Sequence, residues 1–173
     1  MLLNPTVFKK RLTKLILISL LLALVLMATS FGVARADPGW YTSTWAYRKK
    51  ITIDSTKVTA DLTNFPVLIN LSSDTDLASD AQDDGDDIVF TSADGVTQLS
   101  HEIEMFDGGS GVLVAWVKVP SLSSSTGAML YMYYGNPASG GQQDPANVWD
   151  ASYRGVWHMK ETTGGTDSIK DSK

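Results

Sequence analysis

The chain contains no cysteine, which excludes disulfides, thiolate metal sites, a cysteine nucleophile and a lipid-modified cysteine. Histidine is almost as scarce. With only His101 and His158 there is no zinc-binding histidine spacing and no Ser-His-Asp arrangement, and no phosphate loop is present either. Amphipathic helical periodicity is missing from Trp45 onward. Basic charge is also short beyond the first 36 residues: five of the 14 Lys and Arg lie there, and all 19 Asp and Glu come later. Residues 37–173 therefore carry a formal charge of −10, and such a surface repels nucleic acid and anionic lipid.

Those first residues do contain an export pattern. Lys9, Lys10, Arg11 and Lys14 precede an almost wholly apolar run from Leu15 to Ala28, and Ala34-Arg35-Ala36 supplies a small-x-small cleavage site. Residues 1–36 read as a signal peptide or, if retained, as a membrane anchor, since Leu15 to Ala34 is about the 20 residues needed to span a bilayer. The weakening of the run after Met27 into Thr29-Ser30-Phe31-Gly32 favours cleavage. Either way the remainder is expected to be secreted or held in the cell envelope, touching membrane only through this segment. Asn70-Leu71-Ser72 matches the N-glycosylation sequon.

About 137 residues remain after Ala36, enough for one domain of ordinary size. From Trp45 the pattern is short apolar or alternating runs separated by Asp, Gly, Ser, Asn and Pro. Strands are expected at 47–54, 65–71, 87–91, 98–106, 111–119 and 128–134. The fifth reads Val112-Leu113-Val114-Ala115-Trp116-Val117, apolar on both faces, as a central strand covered on both sides does. Asp94-Gly95 suits a tight turn, and Ser72 to Asp86 a long loop or one short helix. The expected fold is all-β, an antiparallel, jelly-roll-like β-sandwich over 37–148 that comes after the signal or anchor segment. Ala138 to Asn147 reads as a linker or an edge crossing. Residues 149–173 read as the incomplete start of a second module, because so few residues cannot bury a core of their own; a last strand of the first domain is the other reading.

The ordered motifs Trp45, Arg48-Lys49-Lys50-Ile51-Thr52-Ile53, Leu62 to Ile69, Asp84-Gly85-Asp86-Asp87-Ile88-Val89-Phe90-Thr91, His101-Glu102-Ile103-Glu104, Ala115 to Pro120 and Tyr131-Met132-Tyr133-Tyr134-Gly135-Asn136 resemble the domain of unknown function numbered 2341. That domain occurs in secreted and surface proteins of bacteria and archaea, and the resemblance spans about Trp45 to Trp149. Val156-Trp157-His158-Met159-Lys160-Glu161 and Asp167-Ser168 resemble the opening of a laminin-G or concanavalin A-like jelly roll. The first resemblance implies a non-catalytic β-sandwich in a multidomain surface protein, in some cases beside carbohydrate-active enzymes. It carries over no catalytic residue.

Three groups of residues are candidate sites. Trp116, Tyr131 and Tyr133 lie on strands, with the two tyrosines on one face; exposed, they would form a platform for the C–H face of a pyranose, and buried they would be core. Asp74, Asp76, Asp80, Asp83, Asp84, Asp86 and Asp87 crowd around Gly85, and a hard ion such as calcium accepts six to eight oxygens from such a loop. Asp83, Asp84, Asp86 and Asp87 are the candidate ligands, against a solvated acidic loop. The EF-hand register fails, because with Asp80 first Gln82 falls at position three and Thr91 at the bidentate position. Glu102 and Glu104 point the same way on a strand, a pair suited to glycoside hydrolysis at a separation of about 5 to 9 Å, or else ordinary surface carboxylates. The readings that result are a glycan-binding or adhesion module with polysaccharide or cell-surface glycan as partner, a structural spacer of an envelope protein, and an accessory module of a secreted glycoside hydrolase.

Overall fold

The residues that read as alternating or doubly apolar form two antiparallel sheets packed face to face. A computed structural model of the chain describes residues 39–159 and 170–173; the expected signal or anchor segment, 1–36, lies outside them. The strands are β1 (Tyr47–Ile53), β2 (Leu62–Leu71), β3 (Val89–Thr91), β4 (Gln98–Leu99), β5 (His101–Asp107), β6 (Val112–Leu122) and β7 (Ala128–Tyr134). They are joined by two short helices, α1 (Thr75–Asp80) and α2 (Pro145–Val148), and a 3-10 turn at Ser55–Lys57. One sheet has the order β1-β7-β3-β4 and the other β2-β6-β5. All pairings are antiparallel, so the fold is an all-β sandwich, as the sequence pattern predicts.

Period-two alternation decides which side chains fill the interior. On β7, Leu130, Met132 and Tyr134 face inward, and on β6, Leu113, Ala115, Val117 and Val119 do the same; with Phe90, Ile103 and Ile88 they form one buried cluster. Burying each large aliphatic side chain contributes about 1.5–3 kcal/mol, and without disulfides this cluster is the main source of stability. Leu77 of α1 is fully buried in it. That helix starts at Asp74, whose carboxylate accepts from the backbone N–H of Asp76 and Leu77, both at 3.1 Å, and pairs with Lys49 of β1. Much of the aspartate in the acidic stretch is thus turn and cap chemistry.

The single run expected over 98–106 is two strands, because the chain changes sheets at Ser100: β4 pairs with β3 and β5 with β6. The tight turn at Asp94-Gly95 forms as expected. Gly95 has φ 77°, and the Asp94 carboxylate accepts from the N–H of Val96 and Thr97 and the Thr97 hydroxyl, which holds its pKa well below the usual carboxylate range. The stretch expected as a linker or edge crossing runs along the free edge of β5. There the N–H of Asp144 donates to the His101 carbonyl (2.9 Å) and the N–H of Ile103 to Gln143 Oε1 (2.6 Å).

Pro38–Lys173 form one compact unit. Val148 is fully buried and Trp149 is 6% exposed, and the described part of 149–173 packs on the outer face of β6 and β5. A physical reason is that β6 is apolar on both faces and its outer row, like its inner one, needs a cover.

His101 faces the core against Phe90, with ring centroids 5.2 Å apart, and its Nε2 has no partner among the described residues. Burial holds its imidazole below the ordinary value of 6.5. The unfolded chain then takes up a proton near pH 6.5 that the folded one refuses, so stability is complete above that pH and falls as the pH drops below it. Thermal unfolding between pH 7.5 and 4.5 should show this decline, with a slope contribution of up to about 1.4 kcal/mol per pH unit. His101→Gln should flatten it; an unchanged profile would show that His101 does not titrate on unfolding.

Candidate functional site

Two aromatic assemblies lie on the outer faces of the sandwich, one on each sheet, and both include residues singled out from the sequence. On the first sheet Tyr131 and Tyr133 occupy the odd, outward positions of β7, opposite Leu130 and Met132. They do share a face, but it is not open. Residues 39–45 cross it as a strap: Trp40 meets Tyr133 edge-on at 5.3 Å, and Tyr41 packs on both Trp45 (5.1 Å) and Tyr133 (6.0 Å). The Arg48 guanidinium lies between the rings of Trp40 and Tyr131, 4.8 and 4.4 Å from their centroids, and Arg48 also donates to the Gly39 carbonyl (2.9 Å). Tyr133 is fully buried and Tyr131 8% exposed, and the Tyr133 hydroxyl donates to the Gly95 carbonyl (2.9 Å). Of the two readings the sequence leaves open for these tyrosines, platform or core, the packing is that of a covered second core.

On the other sheet the outward row of β5 and β6 holds Trp116, Glu102 and Glu104. A β-bulge falls between Ile103 and Met105, so Glu104 is the extra residue and both glutamates face outward. His158 lies between them, Nε2 3.2 Å from Glu102 Oε2 and Nδ1 3.2 Å from Glu104 Oε2. Trp149 Nε1 donates to Glu102 Oε2 (2.9 Å), the Ser172 hydroxyl to Glu102 Oε1 (2.5 Å), and Trp116 Nε1 to Glu104 Oε2 (2.9 Å). The Trp116 ring lies 5.3 Å from Trp149, which takes Tyr153 edge-on at 5.1 Å. Glu102 is buried with both oxygens engaged; it fastens a segment and does not stand across an open gap from Glu104. Beside it a cleft of about 450 Å³ is lined by Glu102, Ala146, His158, Lys170, Asp171 and Ser172. The pairing of His158 with Glu102, 56 residues apart, has no local signal in the sequence beyond the outward direction of the two glutamates.

The acidic loop does not gather its carboxylates. Asp83 and Asp84 are exposed and Asp86 half-buried, with Asp84 Oδ1 taken by the N–H of Asp86 (3.1 Å). Asp87 turns the opposite way and is fully buried: Oδ1 accepts from the N–H of Gln82 (3.0 Å), and Oδ2 from those of Gly135 (2.7 Å) and Asn136 (2.9 Å). Among the described residues no group of three His, Cys, Asp or Glu side chains is placed to hold a metal ion. The four carboxylates expected as calcium ligands, Asp83, Asp84, Asp86 and Asp87, are thus not brought together here: the first two are exposed and the last is engaged by backbone donors.

The fold and its sites define a β-sandwich module whose outer faces are each partly covered by a flanking segment. The family model described as a domain of unknown function (DUF2341) matches residues 84–163. No curated protein and no solved structure matches the chain. The match leaves β1 and β2 outside, takes in Asp87 and Glu102, and continues past residue 148 through Trp149 and His158.

Two substitutions separate these assignments. Asp87→Ala leaves three backbone N–H groups without an acceptor, at about 1–3 kcal/mol each, so chemical denaturation should show a loss on the order of 3 kcal/mol or more; a loss under 1 kcal/mol would refute the role given to Asp87. Trp149→Ala removes the cover of Trp116 and a donor to Glu102, and should cost about 3 kcal/mol. Unchanged stability would restore 149–173 as a separable segment.

Proposed function

We propose that the chain is an exported, non-catalytic β-sandwich module of a cell-surface or secreted protein, acting as a structural spacer. The observation that carries this reading is the occupation of both outer faces by the chain's own flanking segments: 39–45 lie over Tyr131 and Tyr133, and 149–158 over Trp116. A spacer must hold the module that follows it in a fixed position, and a C-terminal flank packed onto the sheet does so without a flexible linker. The basic-apolar-small order of residues 1–36 supports export. Any laminin-G or concanavalin A-like domain opening in 149–173, as the resemblance of Val156 to Glu161 suggests, would then be joined rigidly.

Glycan binding through Tyr131 and Tyr133 would require the strap to lift, and hydrolysis by Glu102 and Glu104 would require His158 and Trp149 to leave. The spacer reading needs neither. Its test is affinity electrophoresis of the exported chain through gels containing a broad panel of polysaccharides, beside an assay for glycoside hydrolysis. Unretarded migration and no hydrolysis are expected, and Tyr133→Ala should lower the unfolding temperature. Retardation that disappears in a folded Trp116→Ala variant would replace the spacer by a glycan-binding module.

A further inference from the structure

The sandwich has four edge strands, and three are guarded against pairing with another chain. The edge of β1 carries Arg48, Lys49 and Lys50. β4 is two residues long, and β5 has its bulge at Glu104 and is covered by Gln143 and Asp144. The fourth, β2, has Asn64 at φ 52° and Pro66 in its first half. Its second half, Val67-Leu68-Ile69-Asn70-Leu71, has no charge and no proline.

Beyond the part covered by 149–158, the outer face beside that half is apolar and exposed among the described residues. Leu68 is 43% exposed and Met105 50%; Val114, half-buried, lies opposite both Met105 and Asn70. Asn70 stands among them as an exposed residue and begins the single Asn-x-Ser/Thr sequon in which x is not proline. Asn136 and Asn147, by contrast, commit their amides to Thr44 and Asp144. Ser72 is exposed as well, and the chain bends there as it leaves β2, so the sequon sits at the accessible end of an edge strand.

We propose that Asn70 is a carbohydrate attachment site, whose N-linked oligosaccharide lies over Leu68, Val114 and Met105 and closes the free edge of β2. The proposal rests on export, since the donor is a polyprenyl-phosphate- or pyrophosphate-linked oligosaccharide used by a transferase on the outer side of a membrane. In the transfer the Asn70 side-chain nitrogen forms a bond to C1 of the first sugar. The bond from C1 to the phosphate oxygen breaks, the lipid phosphate leaves with the electron pair, and the amide proton passes to a base on the transferase. The apolar C–H face of the first sugars then meets the apolar row, while their hydroxyls stay in water.

The test is peptide mapping by mass spectrometry of the full mature protein isolated from the cells that produce it. The peptide containing Asn70 should carry an oligosaccharide mass increment, absent from Asn70→Gln and from Ser72→Ala and retained in Ser72→Thr. If the N-terminus is Asp37 and Asn70 is bare, the attachment site is refuted while the export reading stands. If residues 1–36 are still attached to protein recovered from inside the cell and Asn70 is bare, both fall. An increment that survives in Ser72→Ala would place the sugar elsewhere and refute the assignment.

Discussion

One buried carboxylate holds three separate parts of the chain together. Asp87 sits two residues before β3, and its side chain accepts backbone N–H groups from the acidic loop at Gln82 and from Gly135 and Asn136, just after β7. Its own carbonyl accepts the indole N–H of Trp45 at 2.6 Å, which fixes the end of the strap. Gly135, at φ 82°, turns the chain toward this carboxylate where a side chain would run into the Tyr47 ring. The loop, the exit of the central strand of the first sheet and the cover of its outer face are thereby positioned by one residue. A buried carboxylate that accepts three N–H groups replaces the hydration it has lost.

Glu102 plays the corresponding part on the second sheet. It receives Trp149, His158 and Ser172 and fastens the C-terminal segment over Trp116. In both places an acidic side chain is used to secure chain crossing a sheet, not to meet solute. The same economy explains why Tyr131 and Tyr133 are buried and Trp116 half-buried: an apolar outer row needs a cover, and the flanking segments 39–45 and 149–158 supply it. The spacer reading rests on this closure.

Much of the fold was legible in the sequence because period-two alternation reports directly on strands. The central position of β6 could be read from Val112 to Val117, and the turn at Asp94-Gly95 from its chemistry. The change of sheet at Ser100 could not, since one continuous apolar pattern serves two strands when both face the same core. The sites were legible only as residue types. Tyr131 and Tyr133 were correctly placed on one face, but that Trp40 and Arg48 cover them depends on contacts across more than 80 residues. The aspartate cluster resembles a metal loop in composition, yet Asp87 points away from its neighbours, and only the backbone path that brings Gly135 and Asn136 beside it reveals why.

The central claim is that both flanking segments belong to the same cooperative unit as the sandwich core. Native-state hydrogen exchange tests this most directly, because it measures the opening of each segment separately. The indole N–H of Trp45 and Trp149 and the amides of Gly135 and Asn136 should exchange only with global unfolding, at the rate of core amides such as that of Val117. Exchange of the Trp45 and Trp149 indoles orders of magnitude faster than that of Val117, with the core still protected, would contradict the account and leave the two faces open to a ligand.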